Sequence, residues 1–294
     1  MKKGGDTSGI FDLHCDTPHF IQKKEINHLQ TDKLRDQGYT GAVYAHFIMP
    51  RIRYPFVAVI KMLTATIGYI QRKNKLDIIH SLDQVKKGKL SIILGVEGGH
   101  IFDNTFKQVE ALYDLGVRVF TLTWNNSNRL AYSALENDSK GLTKRGKEYM
   151  RKVQSCNAIF DLSHASTRTV LDVCEHTDNP VMASHSCVRA LNPQFKRNID
   201  DRAIDAISQK GGVIGVNFSR YHLGNHAVAD HIDYLVQRAG VNIAAIGSDF
   251  DGIDDPVIKS PVDIGILTSD LKKKGYTKDD IARIYSKNFL RIFT

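Results

Sequence analysis

Ser91-Ile92-Ile93-Leu94-Gly95-Val96-Glu97-Gly98-Gly99-His100 is an apolar run that stops at a carboxylate, two glycines and a histidine; Phe106 to Leu115 then follows with helical periodicity. A run that is apolar on both faces suits a strand of a parallel sheet covered by helical crossovers. Similar runs recur at Ile10 to Cys15, Ala42 to Ile48, Val117 to Thr121, Ala158 to Leu162, Val181 to Ser184, Gly212 to Asn217 and Ile243 to Gly247. Amphipathic segments of helix length lie between them, for example Thr143 to Gln154, Thr167 to His176, Ile204 to Lys210 and Ala227 to Ala239. Strand and helix therefore alternate, and eight such units in 294 residues predict an α/β fold, a (β/α)8 TIM barrel forming one catalytic domain over 1–294. A doubly wound open sheet is the structural alternative. The stretch from Tyr54 to Val85 is long for one crossover and is expected to hold two helices as an insertion.

Composition narrows the function classes. With 42% hydrophobic and 24% charged residues the chain has the mixture of a globular core and a charged surface. Lys and Arg number 40 against 32 Asp and Glu, a formal charge of +8, but the basic residues are scattered. The densest clusters, Lys23 with Lys24, Lys86 to Lys89 and Lys272 to Lys274, lack interleaved aromatics and read as solvated helix faces, which argues against nucleic acid as a partner. The longest apolar stretch, Phe56 to Ile70, contains Lys61 and falls short of the roughly 20 residues of a membrane span. Met1 to Ser8 offers no apolar signal core, and four cysteines without a Cys-x-x-Cys pair suit a reduced compartment, so a cytoplasmic protein without a membrane partner is expected. No Gly-x-Gly-x-x-Gly or Walker motif is present.

Chemistry collects at the strand ends, where a barrel of this kind converges its side chains on one face. The first strand closes on His14-Cys15-Asp16; alternation turns His14 and Asp16 the same way and Cys15 towards the surrounding helices. Glu97 closes the third strand, and its two following glycines permit close backbone approach. His164 and His185 stand at the tips of the fifth and sixth strands, and Asp249 follows the eighth. Each of these alone reads more blandly, as a capping carboxylate, an Asx turn or a hydrogen-bonded structural histidine. Together, His14, Asp16, Glu97, His164, His185 and Asp249 on one rim are more imidazole and carboxylate than one tetrahedral zinc needs, so two metal ions are implied, zinc by ligand type, with manganese or iron as other divalent candidates.

At these residues the chain resembles the membrane (renal) dipeptidase family of dinuclear zinc peptidases. The resemblance runs along nearly the whole length: Asp12-Leu13-His14-Cys15-Asp16-Thr17-Pro18, Glu97-Gly98-Gly99-His100, Leu122-Thr123, Gly141-Leu142-Thr143, Asp161-Leu162-Ser163-His164, Ser184-His185-Ser186, Arg197-Asn198, Gly247-Ser248-Asp249-Phe250-Asp251-Gly252 and Asn288-Phe289-Leu290 come in family order. It implies an amidohydrolase-like barrel with one zinc on His14, Asp16 and Glu97 and a second on Glu97, His164 and His185. It also implies Asp249 as the acid/base residue and Arg197 as the anchor of the substrate carboxylate. Three positions depart from the family pattern. Trp124 stands where animal members carry a substrate-contacting histidine, Tyr132 follows Leu130-Ala131 in place of an aspartate, and His46 occupies a place where Gln is usual. Trp124 offers only an indole N–H, which leaves Asn125 or the metals to stabilise an oxyanion.

The expected activity is hydrolysis of a dipeptide amide by a hydroxide bridging two zinc ions, with Asp249 moving the proton, and with Arg197 and Trp124 in the substrate site. The same rim would also suit a lactone, cyclic amide or phosphoester hydrolase, or a catalytically silent ligand-binding barrel. A homodimer is compatible with all of these readings.

Overall fold

The computed structural model describes residues 9–23, 31–86, 88–102 and 106–293. Met1 to Ser8, Lys24 and Lys87 lie outside the described residues. Among the described residues nine strands follow in order: β1 (Ile10–Cys15), β2 (Tyr39–Phe47), β3 (Leu76–Ile78), β4 (Leu90–Glu97), β5 (Val117–Thr121), β6 (Ile159–Asp161), β7 (Val181–Ala183), β8 (Val213–Val216) and β9 (Ala244–Ile246). All pair in parallel. β2 pairs with β4 and β1 pairs with β9, so eight strands close into a barrel, and β3 lies outside the ring against Leu90 to Ile92 of β4. The (β/α)8 expectation is met, and the open sheet is excluded by the β1–β9 seam, where Asp12 pairs with Ile246.

The span from Tyr54 to Val85 corrects the expectation of two helices. It holds one helix, Pro55–Gln71, then β3 and a short 3-10 turn at Leu82–Gln84. Leu76-Asp77-Ile78 is too short to rebuild a helix, and its backbone finds partners along the free lower edge of β4.

The helices outside the ring start where the sequence supplies a side-chain acceptor. Thr143 caps Lys144–Ser155, Ser166 caps Thr167–His176 and Asp200 caps Asp201–Gln209, each accepting a backbone N–H three residues on. Tyr149, Met150 and Val153 form the buried stripe of the first of these, at the i, i+1, i+4 spacing of one helix face.

Two apolar layers result. One lies between strands and helices; the other fills the barrel with Phe11, Leu13, Val43, Ile93, Val119, Ile159, Met182, Val213 and Ala245, so that each of the eight ring strands contributes. Phe289, Leu290, Ile292 and Phe293 close the lower end, with the Phe289 ring 4.9 Å from that of Phe11. Thr277 and Asp280 form the capping box that starts this last helical run. The basic clusters are tied into ion pairs: Lys86 and Lys89 hold Asp77 at 3.0 and 2.8 Å, and Lys274 holds Asp230 at 2.8 Å. Among the described residues no helix is long and apolar enough to cross a membrane.

Candidate metal centre

Because every ring strand runs the same way, the strand ends share one rim above the apolar filling. β1 reaches it through a bulge: Asp12 pairs with Ala42 and Cys15 with Tyr44, three residues against two. Leu13 therefore joins the barrel interior, His14 enters the rim, and Cys15 turns outward, its thiol donating to Val43 O at 3.4 Å. After β4, Gly98 takes φ +97° and Gly99 packs so closely that a Cβ there would lie 2.6 Å from Leu122 O. This close turn leaves Glu97 at the strand tip. His164 and Asp249 both adopt the left-handed backbone, at φ 65° and 62°, a conformation that non-glycine residues hold only where surrounding contacts enforce it.

Hydrogen bonds fix the three imidazoles in one tautomer. The buried Asp161 carboxylate accepts the N–H groups of Ser163 (3.0 Å) and Ser184 (2.8 Å), the Thr121 hydroxyl (2.8 Å) and the Ser184 hydroxyl (2.7 Å). With its proton committed to Asp161, Ser184 Oγ is left to accept from His185 Nδ1 at 2.8 Å and His14 Nδ1 at 3.1 Å. His164 Nδ1 donates to Asn125 Oδ1 at 2.9 Å. Nε2 of His164 and of His185 is thereby a bare lone pair turned inward, and His14 Nε2 faces the carboxylates, where a proton holds the place that a cation would take.

Those lone pairs converge. His164 Nε2 and His185 Nε2 lie 2.9 Å apart, and Glu97 Oε1 is 3.0 and 3.7 Å from them. His14 Nε2 is 3.8 Å from Glu97 Oε2, 3.8 Å from Asp16 Oδ2 and 3.9 Å from Asp249 Oδ1. His14 Nε2 and Glu97 Oε1 are buried without a hydrogen-bond partner. Unpaired polar atoms and carboxylates packed this closely are costly unless a cation lies between them, so the donor set fits divalent metal. His14, Glu97 and His185, and His14, Asp16 and Asp249, are two further groups whose ligand atoms lie within 4.8 Å of one another. These triads share His14, whereas the sets implied by resemblance share Glu97. Both Glu97 oxygens nonetheless engage the cluster, Oε1 towards His164 and His185 and Oε2 towards His14.

The electrostatics describe a centre that draws positive charge. Burial opposes protonation of His14, but Glu97, Asp16 and Asp249 outweigh it and hold the imidazole up at about 10. Burial, reinforced by Arg197 and His14, pushes His164 and His185 well below the usual histidine range and keeps them neutral, the form that ligates. Glu97 is driven well upward, first by burial and then by Asp16, Asp249 and Asp161. Asp249 is pushed up to about 7 by burial, with His14 pulling the other way.

Arg197 is buried beside this cluster. Its Nη1 donates to Ser186 Oγ at 3.0 Å and its Nη2 to His185 O at 2.9 Å, while Nε has no partner. Among the described residues no carboxylate forms an ion pair with it. Trp124 packs against Phe47 with the ring planes tilted by 36° and the centroids 4.5 Å apart, and its ring lies 6.4 Å from that of His164. The structure thus brings His14, Asp16, Glu97, His164, His185 and Asp249 together at one rim, with Arg197 and Trp124 beside them.

Other candidates fall elsewhere. His46 is a buried structural residue, bonded to Gly95 O at 2.7 Å and Thr66 Oγ1 at 3.1 Å. Cys187 donates to Asn217 O at 3.3 Å and does not reach the cluster. Asn125, weighed for an oxyanion, holds His164 in place. Sequence reasoning missed Asn217, just beyond β8, whose amide donates to Asp249 Oδ2 at 2.8 Å. Its position after an apolar run was the available signal.

Comparison with known proteins follows the same line. The family described as membrane dipeptidase, peptidase family M19, matches residues 6–294. A protein of Klebsiella pneumoniae described as uncharacterized, in the pqqA 5' region, is 31% identical over 69% of this chain and 81% of its own length. Dipeptidase verJ of Clonostachys rogersoniana is 28% identical over 96% of this chain and 83% of its own. The same fold occurs in a metallo peptidase from Rhodobacter sphaeroides, crystallised with a phosphinate mimic of the dipeptide L-Ala-D-Ala. Its TM-score is 0.88 at 20% identity, covering 98% of this chain and 99% of that one.

Proposed function

This chain belongs to the membrane dipeptidase family of metallopeptidases, and from that premise we propose that its rim hydrolyses the amide bond of dipeptides with two divalent cations, zinc by ligand type. His14, Asp16, Glu97, His164 and His185 would hold them, Glu97 Oε1 lying towards His164 and His185 and Oε2 towards His14. The observation that carries this reading is the convergence of the His164 and His185 Nε2 lone pairs, 2.9 Å apart, on Glu97. Bound there, such cations supply Lewis acidity, polarising a carbonyl and lowering the pKa of water to about 7.

The remaining steps belong to the protein. Asp249 keeps Oδ2 on the Asn217 amide and turns Oδ1 towards His14, which places a carboxylate oxygen at the edge of the ligand cluster within reach of a water there. It therefore takes the proton of the attacking water and returns it to the leaving amine. Arg197 offers its unused N–H groups to the terminal carboxylate of the substrate, which selects short peptides whose carboxylate lies within reach of the cluster. Trp124 walls the substrate site on the other side.

The test is amino-acid release from a mixed dipeptide panel by metal-stripped protein, before and after zinc, with bound metal counted in the same samples. Activity that appears as about two zinc ions bind per chain supports the reading. Two bound metals without cleavage of any dipeptide would exclude the substrate class and keep the centre.

A further inference from the structure

The rim is not symmetric about the metal-ligand cluster. In the eight-strand ring, β2 and β7 stand four strands apart in either direction, so their ends face each other across the mouth. Arg197 lies on the loop after β7, fixed to His185 O and Ser186 Oγ. On the β2 side a cleft of about 500 Å³ opens directly beside Asp16 and Glu97. Its walls are Phe47, Ile48, Ile52, Met62 and Trp124, and His19 and Gln22 mark a polar edge. Trp124 and Phe47 pack ring on ring, which presents one continuous apolar wall.

A substrate with its carboxylate on Arg197 and its amide over the ligands must extend its amino-terminal residue towards β2. We infer that the β2 cleft receives the side chain of that residue and makes the enzyme selective for dipeptides beginning with a large apolar amino acid such as leucine or phenylalanine. This inference rests on the dipeptidase reading for its substrate and on the ring geometry for its direction. A glycine or alanine leaves most of the cleft filled with water, while a leucine or phenylalanine removes apolar surface on both partners from it. That difference amounts to about 10- to 100-fold in affinity or kcat/KM.

Trp124 is the only tryptophan of the chain, so its fluorescence reports on the cleft without a label. The zinc-loaded full-length protein is titrated with phosphinate mimics of Leu-Ala, Gly-Ala and Ala-Leu, and kcat/KM is measured for the corresponding dipeptides. The inference expects the Leu-Ala mimic to bind at least tenfold more tightly than the Gly-Ala mimic and to shift Trp124 emission saturably, with Leu-Ala cleaved faster in the same proportion. Ile52→Asp, at a site 43% exposed and so tolerant of a charge, should shrink the Leu-Ala to Gly-Ala binding ratio at least fivefold. Equal binding of the two mimics overturns the inference, as does an equal emission shift from the Ala-Leu mimic. Emission that follows protein concentration alone would assign the cleft to a second copy and overturn it as well. If no dipeptide is cut, the dipeptidase reading fails, and the mimic titration still decides what the cleft prefers.

Discussion

Ser184 donates its hydroxyl to Asp161 at 2.7 Å, and that one bond sets the tautomer of two imidazoles on two different strand ends, His14 and His185. Ser184→Ala leaves both Nδ1 protons without their acceptor, and metal affinity should fall about 10- to 100-fold while the fold persists. A competition titration against a zinc chelator, with circular dichroism on the same sample, reads both quantities; unchanged affinity would refute the orienting role.

Asp249→Asn keeps the side-chain shape and a partner for Asn217 but removes the proton carrier. Turnover should drop about 10²- to 10⁴-fold, with bound zinc unchanged by elemental analysis. Near-normal turnover would remove Asp249 from the proton path.

Arg197→Ala should raise KM for dipeptides far more than for the matching dipeptide amides, which carry no terminal carboxylate. Equal effects on the two substrate series would mean that the loss is structural.

Two buried histidines, His46 and His231, and the half-buried His222 make the fold sensitive to acid. Burial pushes His46 and His231 down to about 4 and His222 down to about 3, against an ordinary 6.5. The unfolded chain takes up these protons near pH 6.5 and the folded chain does not, so stability is fully present above that pH and declines as pH falls towards 4. For His46 alone the loss is about 3 kcal/mol. His46→Gln can keep both hydrogen bonds, to Gly95 O and Thr66, without titrating. Its urea midpoint should change less between pH 7 and pH 5 than that of the unaltered protein, and an identical change in both would rule His46 out as a contributor.

Phe289→Ala should cost about 3–5 kcal/mol, because the side chain is wholly buried at the barrel floor against Phe11. The midpoint of thermal unfolding measures it, and a shift of less than about 1 °C would place the floor of the core elsewhere.

How much of this was legible before the structure depends on the kind of feature. Ring strands announce themselves as apolar runs because both faces are buried, and ligands stand out because charged or imidazole groups end those runs. Cys15 facing outward and Asp16 facing the rim follow from alternation. Leu13 does not: the bulge that turns both Leu13 and His14 inward depends on pairing with Ala42 and Tyr44, which no local pattern encodes. Ser184 and Asn217 were hidden for a related reason, since their roles rest on hydrogen bonds to residues on other strands. β3 escaped notice because three residues are too few to show a period, and only the free edge of β4 gives them a partner.

The contact between Phe11 and Phe289 ties the start of the barrel to its end. During synthesis β1 leaves the ribosome first, yet its neighbour β9 and the aromatic plug beneath it come more than 230 residues later, as Asp12 pairs with Ile246. Until then the nascent chain is an incomplete ring with two open edges, those of β1 and β8, and no aromatic floor. Closure therefore waits on β9, and the two ends of the sequence share responsibility for it. A lesion near residue 290 damages the first strand as surely as one near residue 11.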